Sequence, residues 1–263
     1  MEKKIVNLVW FHTNNVGDTT TSPLDYYKFP LPVEKRDIKE DLSGLEDVFI
    51  IVGGGGMIHI PSPDYNFGHF GHLDALKTLG KYRVIWGVGH NVLFPKVKYS
   101  GYKFPDVLEN QCMQAISLLP DLSDFHLIGL RDMNYYKVPN ARFTPTISCK
   151  SSAFKIKDIP KGSGMGAVIH EGSEDTKFPQ IYCERSSFPQ VINFISQFET
   201  IVTNSYHVMC WSEFMNKKVY FHNIQSTKFI LHRKEPLQRC IARNDMFYNN
   251  VLELIGRYMN ENS

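Results

Sequence analysis

Three short and continuous apolar runs constrain the fold of this 263-residue chain more than any other feature. They are Val48–Val52 (VFIIV), Arg83–Val88 (RVIWGV) and His126–Leu130 (HLIGL). Runs of this length with few polar residues are typical of strands buried on both faces, and such strands occur in parallel sheets covered by helices. The sequence therefore predicts an α/β fold with parallel sheets.

Helical patterns lie between these runs. Leu73, Leu76 and Leu79 recur at a three-residue spacing, and apolar positions recur at roughly the helical period over Val107–Leu119. Strands that alternate with helices predict parallel pairing and a doubly wound sheet.

The character of the sequence changes after Arg142. The next segment (TPTISCKSSAFKIKDIPKGSGMG) is rich in Ser, Thr, Pro, Lys and Gly, which is typical of a linker. A second α/β series follows, with strands predicted at Ala167–His170, near Ile201 and near Val219. We therefore predict two Rossmann-like domains, residues 1–150 and 151–263, with a ligand-binding cleft between them. A last helix, about Met246 to Met259, is compatible with packing on either domain.

Composition excludes several classes of function. The formal net charge of +2 and the scattered lysines give no sign of a nucleic-acid-binding surface. No stretch approaches the roughly 20 apolar residues that span a bilayer, and the N-terminal run Ile5–Phe11 fits a strand better than a signal peptide. Five cysteines without a CxxC pair predict free thiols in a reducing compartment, hence a cytoplasmic protein.

A run of four glycines, Gly53, Gly54, Gly55 and Gly56, directly follows the VFIIV strand. Glycines at the carboxyl end of a strand let the backbone approach a ligand and direct N–H groups at an anion. The run is neither GxGxxG nor a P-loop, so it does not indicate nucleotide binding. A tight turn without a ligand is the alternative.

Two charged residues also follow predicted strands. Asp18, in the stretch NNVGDTTTSP, fits either a helix cap or a group that holds a substrate hydroxyl. Arg131 lies where the HLIGL strand ends, and its planar guanidinium suits a carboxylate or a phosphate. An ion pair between Arg131 and Asp132 or another acid is the alternative.

Histidines are frequent after the second and third strands. His59, His69 and His72 lack a helical HExxH pattern and an obvious carboxylate partner, so we predict no metal site. His90 directly follows the RVIWGV strand and is the better ligand-binding candidate, because clefts lie at the carboxyl ends of parallel strands.

His207 falls in the first turn of a predicted helix, with Asn204 or Ser205 as the N-cap. Unpaired N–H groups and the positive end of the helix dipole gather at this point. This environment disfavours imidazolium unless an anion neutralises it, so an anionic ligand would raise the proton affinity of the ring, as a general acid requires. A packed structural histidine is the alternative.

Together, these motifs resemble the polysaccharide pyruvyltransferase family. The resemblance spans nearly the whole chain and rests on six stretches in order: Asn15–Asp18 (NVGD), Gly53–Gly56, Gly87–Gly89 (GVG), Gly129–Arg131 (GLR), Thr144–Cys149 (TPTISC, similar to the family's linker) and Thr203–Val219 (TNSYHVMCWSEFMNKKV). The chain departs from many members at Val208, where they have glycine, and from some at Ser205, where they have arginine.

The resemblance implies a GT-B-like pair of domains and the transfer of a pyruvyl group from phosphoenolpyruvate to sugar hydroxyls, which forms a pyruvate ketal without a redox cofactor or metal. It implies His207 as general acid or phosphate ligand, Arg131 as an anion clamp and Asp18 on the acceptor side. His90, Asn204, Ser205 and the glycine amides would complete the donor site.

The saccharide acceptor implied is free or lipid-linked, which places the protein in the cytoplasm or at the inner face of the membrane. Two rival interpretations are a GT-B glycosyltransferase that uses a nucleotide-sugar and a non-catalytic sugar-binding protein of the same fold.

Overall fold

The chain folds into two β-sheets with helices packed against them. This computed structural model describes residues 3–10, 13–58, 76–91, 99–106, 121–132, 141–155, 162–224 and 226–261. The described strands are β1 (Ile5–Val9), β2 (Val33–Asp37), β3 (Phe49–Gly53), β4 (Tyr82–Val88), β5 (Tyr99–Gly101), β6 (Leu127–Leu130), β7 (Ala141–Phe143), β8 (Met165–Ile169), β9 (Gln180–Tyr182), β10 (Thr200–Thr203) and β11 (Lys218–Ile224). The described α-helices are α1 (Val16–Thr19), α2 (Phe188–Ser196), α3 (Tyr206–Phe214), α4 (Thr227–Ile230) and α5 (Leu237–Asn260).

The first sheet has six parallel strands in the order β2-β1-β3-β4-β6-β7. The three apolar runs seen in the sequence form its strands β3, β4 and β6. Every residue of β1 and β3 is buried, as continuous apolar strands in the middle of a parallel sheet require. The predicted α/β class and the parallel pairing of these runs are confirmed.

The second sheet has five strands in the order β5-β11-β10-β8-β9. Four of them are parallel, but β5 pairs antiparallel with β11 at the edge of the sheet. The prediction of purely parallel sheets is wrong at this strand. No apolar run marks the short sequence YSG of β5, so its pairing depends on long-range packing.

The two sheets do not divide the chain cleanly at residue 150. Strand β5 precedes that point yet belongs to the second sheet, while α5 follows it and packs on the first. Phe247, Val251 and Ile255 of α5 are buried with Phe49 and Trp86 of the first sheet. The last helix therefore covers the N-terminal sheet.

The segment predicted as a linker is packed between the two cores. It forms short 3-10 helices at Ile147–Lys150 and Ser152–Phe154. Ile147 is buried in the core of the first sheet, whereas Phe154 belongs to the core of the second. These contacts make part of this Ser- and Lys-rich stretch a structural connection and not a loose tether. The helix predicted over residues 107–119 lies outside the described residues.

Both sheets contain a point where the strand order reverses. Strand β1 lies between β2 and β3, and β8 lies between β9 and β10. In open α/β sheets, ligands bind in the crevice beyond the carboxyl ends of the strands at such a reversal. Each sheet therefore offers one position for a binding site. Among the described helices, none combines the length and the apolar character needed to cross a bilayer.

A buried polar contact fixes α5 on the first sheet. The indole N–H of Trp86 donates a hydrogen bond to Asn244 Oδ1 at 2.9 Å, and Asn244 Nδ2 donates to the carbonyl oxygen of Pro145 at 3.2 Å. Asn244 and Trp86 are 0% and 1% exposed, so loss of the amide would leave buried groups without partners.

We expect Asn244→Ala to lower the free energy of unfolding by about 1–3 kcal/mol, because buried unsatisfied groups cost that much. Urea titration measures the change. The matched control is Asn249→Ala, at an exposed position of the same helix, which should have a much smaller effect. Equal effects of the two substitutions would contradict the role assigned to Asn244.

Candidate functional site

A cavity of about 340 Å³ opens where the two sheets meet. The described residues that line it all lie in segments that follow the carboxyl end of a strand: Trp10, Asn15, Asp18, Gly56, Asn91, Arg131, His170, Ser205, Tyr206, His207 and Lys228. They include residues after β1 and β3 of the first sheet and after β8 and β10 of the second. The reversal points of both sheets therefore open into the same cavity.

Arg131 is the most deeply buried cation of the cavity, with 2% of its surface exposed. Its guanidinium carbon lies 3.8 Å from the centroid of the Tyr206 ring, which is a cation–π distance. Gly89 leaves room for this side chain, because a Cβ there would overlap with Nε. Among the described residues, Arg131 Nε and Nη1 have no hydrogen-bond partner.

The alternative ion pair between Arg131 and Asp132 is not formed. Asp132 instead binds His90, whose backbone N–H and Nδ1 both contact Asp132 Oδ2, at 2.8 and 2.5 Å. Burial alone would raise the pKa of the Asp132 carboxyl, but His90 and Arg131 outweigh it and lower that pKa. Arg131 therefore retains N–H groups for a further partner.

His90 does not line the cavity. It is completely buried and is held by Asp132 behind the cavity wall. Its position directly after β4 suggested a ligand contact, but the side chain turns into the protein to pair with a buried carboxylate. The structure thus gives His90 a structural contact and no direct contact with the cavity.

His207 is the second residue of α3 and is 5% exposed. Its ring lies against Gly17 of α1, where a Cβ would overlap with Nδ1. Nε2 has no hydrogen-bond partner among the described residues. Burial, and then the charges of Arg131, Lys228 and His170, holds the pKa of His207 well below its usual range, so the ring is neutral at pH 7.

Asp18 lies in α1 and faces the cavity. The N-cap of this helix is Asn15, whose Oδ1 accepts from the Gly17 N–H at 3.0 Å, so the interpretation of Asp18 as the cap is wrong. Asn15 Nδ2 also donates to Asp18 Oδ2 at 3.0 Å. Burial raises the pKa of the Asp18 carboxyl, against the opposing charges of Lys228, His170 and Arg131.

Asn204 and Ser205 differ in their roles. Asn204 ties the end of β10 to the loop after β8, since Oδ1 accepts from the His170 N–H and Nδ2 donates to Ser173 Oγ, at 2.9 and 2.6 Å. It is not among the cavity-lining residues. Ser205 is the N-cap residue of α3 and lines the cavity, but its side chain makes no capping hydrogen bond. The first-turn N–H groups of α3 have no intrahelical acceptor.

Part of the glycine run forms a tight turn, and another part lines the cavity. Gly54 and Gly55 have φ values of 72° and 83°, which form the turn. The Gly54 N–H donates to the carbonyl oxygen of Trp86 at 2.9 Å and is not available to a ligand. Gly53 ends β3, and only Gly56 of the four lines the cavity. The prediction that all four glycines donate backbone N–H groups to the ligand is therefore wrong for Gly54.

Sequence reasoning missed Lys228, His170 and Tyr206. His170 is the last residue of the predicted strand Ala167–His170, but the structure ends β8 at Ile169, so His170 directly follows a strand as His90 does. Its Nδ1 lies 2.7 Å from Glu184 Oε1. Lys228 follows β11 in the sequence STKF, whose serine caps α4. Burial and then Arg131 lower the pKa of the Lys228 ammonium to about 8, although Asp18 opposes the shift.

The charges facing the cavity favour an anionic ligand. Among the lining residues that the structure describes, Arg131 and Lys228 contribute two cations, whereas Asp18 is the one carboxylate. Within the described part of the chain, no group of three or more His, Cys, Asp or Glu residues is arranged to hold a metal ion. His59, His69 and His72 lie outside that part.

Comparison with known proteins gives little information. No protein-family model matches the sequence, and no curated protein matches it. One similar solved structure is that of an uncharacterized protein from Klebsiella pneumoniae subsp. pneumoniae NTUH-K2044. The two chains are 16% identical, with 83% of this chain and 82% of the other covered at a TM-score of 0.46. That similarity supports no statement about function.

We expect Gly17→Ala to displace the His207 ring, because the added methyl group would overlap with Nδ1. Carbon–proton correlation NMR of the imidazole groups measures this, with the His207 signal assigned by its loss in His207→Gln. The matched control is Gly256→Ala, since a Cβ at that helical position meets no atom within 4 Å. Unchanged His207 signals in a folded Gly17→Ala protein would contradict the described packing.

Proposed function

We propose that this protein is a pyruvyltransferase that moves the pyruvyl group of phosphoenolpyruvate to hydroxyls of a saccharide acceptor, as a pyruvate ketal. The observation that carries the proposal is Arg131, a 2% exposed residue that lines the cavity and whose Nε and Nη1 have no hydrogen-bond partner among the described residues. A buried cation without a hydrogen-bonding anion is costly, and a bound carboxylate or phosphate supplies that anion.

The size of the cavity supports a small donor. Its volume of about 340 Å³ is at the lower end of the roughly 300–1,000 Å³ typical of small-molecule sites. Phosphoenolpyruvate carries a phosphate and a carboxylate on three carbons, so it presents two anionic groups to Arg131 and Lys228. A nucleotide-sugar is much larger than phosphoenolpyruvate and needs a larger cavity.

His207 is the proposed general acid. It is neutral in the free site because burial and neighbouring cations lower its pKa. A donor with negative charge beside it reverses that balance and favours protonation. The protonated ring then delivers its proton to the methylene carbon of phosphoenolpyruvate. The electron pair of the double bond forms the new C–H bond, so the methylene becomes a methyl group and the adjacent carbon acquires oxocarbenium character.

Asp18 is the proposed base for the acceptor. A sugar hydroxyl forms a bond to the cationic carbon as its proton passes to Asp18, whose raised pKa suits that transfer. The bond from this carbon to the phosphate oxygen then breaks, and phosphate leaves with the bonding electron pair. A second hydroxyl of the same sugar adds to the carbon and passes its proton to the released phosphate. The products are the ketal and inorganic phosphate.

In this proposal the two sheets are the cores of two Rossmann-like halves in a GT-B-like arrangement, with α5 returning to cover the first. The enzyme acts in the cytoplasm, on an acceptor that is free or attached to lipid at the inner face of the membrane. The shared cavity at the two strand reversals supports this arrangement, because it allows one half to supply Arg131 and Asp18 and the other His207 and Lys228.

Arg131→Lys tests the proposed donor site. We expect its affinity for phosphoenolpyruvate, measured by isothermal titration calorimetry, to fall about 10-fold to 100-fold, because charge-assisted hydrogen bonds contribute about 1.5–3 kcal/mol. Lysine keeps the charge but cannot form the bidentate contact. The matched control Arg239→Lys, at an exposed position of α5, should bind as the wild type does. Unchanged affinity in folded Arg131→Lys would remove the basis of the proposal.

His207→Gln tests the proposed acid. Glutamine keeps a hydrogen-bond donor but cannot transfer a proton, so turnover should fall about 100-fold or more, the usual scale for loss of a general acid. Donor affinity and melting temperature should change much less. A lower melting temperature with unchanged turnover per folded molecule would make His207 a structural residue.

A further inference from the structure

Lys228 projects into the cavity from a helix that is otherwise buried. Of the four residues of α4, Thr227, Phe229 and Ile230 are buried, and Lys228 is half-buried at the cavity wall. The Phe229 ring packs against the rings of Tyr206 and Phe221. These contacts fix the backbone of α4, so the position from which the lysine extends is set by the core.

Ser226 also anchors this helix to the first sheet. Its Oγ accepts from the Lys228 N–H at 3.4 Å and donates to Asn91 Oδ1 at 2.8 Å. Asn91 follows β4 and lines the same cavity. Lys228 is thus held by the second sheet while its helix cap is bonded to the first, which places it at the junction of the two.

The charged and titratable groups around Lys228 come from several elements. They are Asp18 of α1, Arg131 after β6, Cys183 after β9 and His207 of α3. No ion pair of the Lys228 ammonium is found in the described parts of the chain. Burial raises the pKa of Cys183 to about 12, and the pKa of His207 lies well below its usual range, so neither group titrates between pH 7 and 9 in the empty cavity.

We propose that Lys228 is the second donor-binding cation of the cavity and contacts the phosphate of the donor, while Arg131 holds the carboxylate. The planar fork of arginine matches a planar carboxylate, and the point charge of lysine suits a tetrahedral phosphate. In the empty cavity the charge of Asp18 partly balances the ammonium. The inference rests on the proposed function, since it takes phosphoenolpyruvate as the donor.

Calorimetric titration with phosphoenolpyruvate from pH 7 to 9 tests this role. We expect the affinity of the wild type to fall over that range by about tenfold more than that of Lys228→Arg, because the protonated fraction of a group with a pKa of about 8 falls about tenfold. Lys228→Arg stays charged, so it should keep only the pH dependence that proton uptake by His207 on donor binding contributes to every variant. Lys228→Met should bind at least about tenfold more weakly at pH 7 and should also lack the contribution of Lys228 to the pH dependence. A purely structural lysine would not produce this pattern.

Two controls make the outcomes separable. Lys218→Met, at the exposed start of β11, should keep the wild-type affinity and its pH profile. At pH 8, inorganic phosphate should bind to the wild type and to Lys228→Arg more tightly than to Lys228→Met. Wild-type affinity in Lys228→Met, or an unchanged pH profile in Lys228→Arg, would overturn the inference.

The same titrations distinguish failure of the proposed function from failure of the role proposed for Lys228. If the wild type does not bind phosphoenolpyruvate at pH 7, the proposed function and this inference both fall. If it binds, and Arg131→Lys weakens binding while Lys228→Met does not, the donor site stands and only the role of Lys228 is wrong.

Discussion

The contact of the Arg131 guanidinium with the Tyr206 ring holds the candidate site together. Arg131 follows β6 of the first sheet, and Tyr206 begins α3 on the second, so this contact joins the two sheets at the cavity. Gly89 must be small for the arginine to pass, and Gly17 must be small for His207 to lie against α1. The cost of burying an arginine with unpaired N–H groups is offset when an anion binds.

The sequence predicted the parts of the fold that local pattern determines. The apolar runs formed β3, β4 and β6, because buried parallel strands need continuous apolar residues. The pairing of β5 with the second sheet and the return of α5 to the first depend on contacts between residues far apart in the chain. Hydrophobic periodicity carries no information about such contacts, so the boundary at residue 150 separates these elements incorrectly.

The sequence predicts those residues of the candidate site that directly follow a strand or lie in the first turn of the helix after it. Asp18, Arg131, Ser205, His207 and Gly56 all line the cavity, because a parallel sheet brings the segments after its strands to one edge. The same rule placed His90 there wrongly, since it cannot say whether a side chain faces the cavity or a buried carboxylate behind it. Lys228 was missed because no sequence motif indicates that this lysine lines the cavity; only the folded position of α4 places it there.

We propose that the cavity binds a small donor with two anionic groups and not a nucleotide-sugar. Parallel calorimetric titrations of the wild-type protein with phosphoenolpyruvate and with uridine and guanosine diphosphate sugars test it most directly. We expect saturable binding of phosphoenolpyruvate at one site per chain, competition by inorganic phosphate, and no binding of the nucleotide-sugars. Saturable binding of a nucleotide-sugar without binding of phosphoenolpyruvate would contradict it.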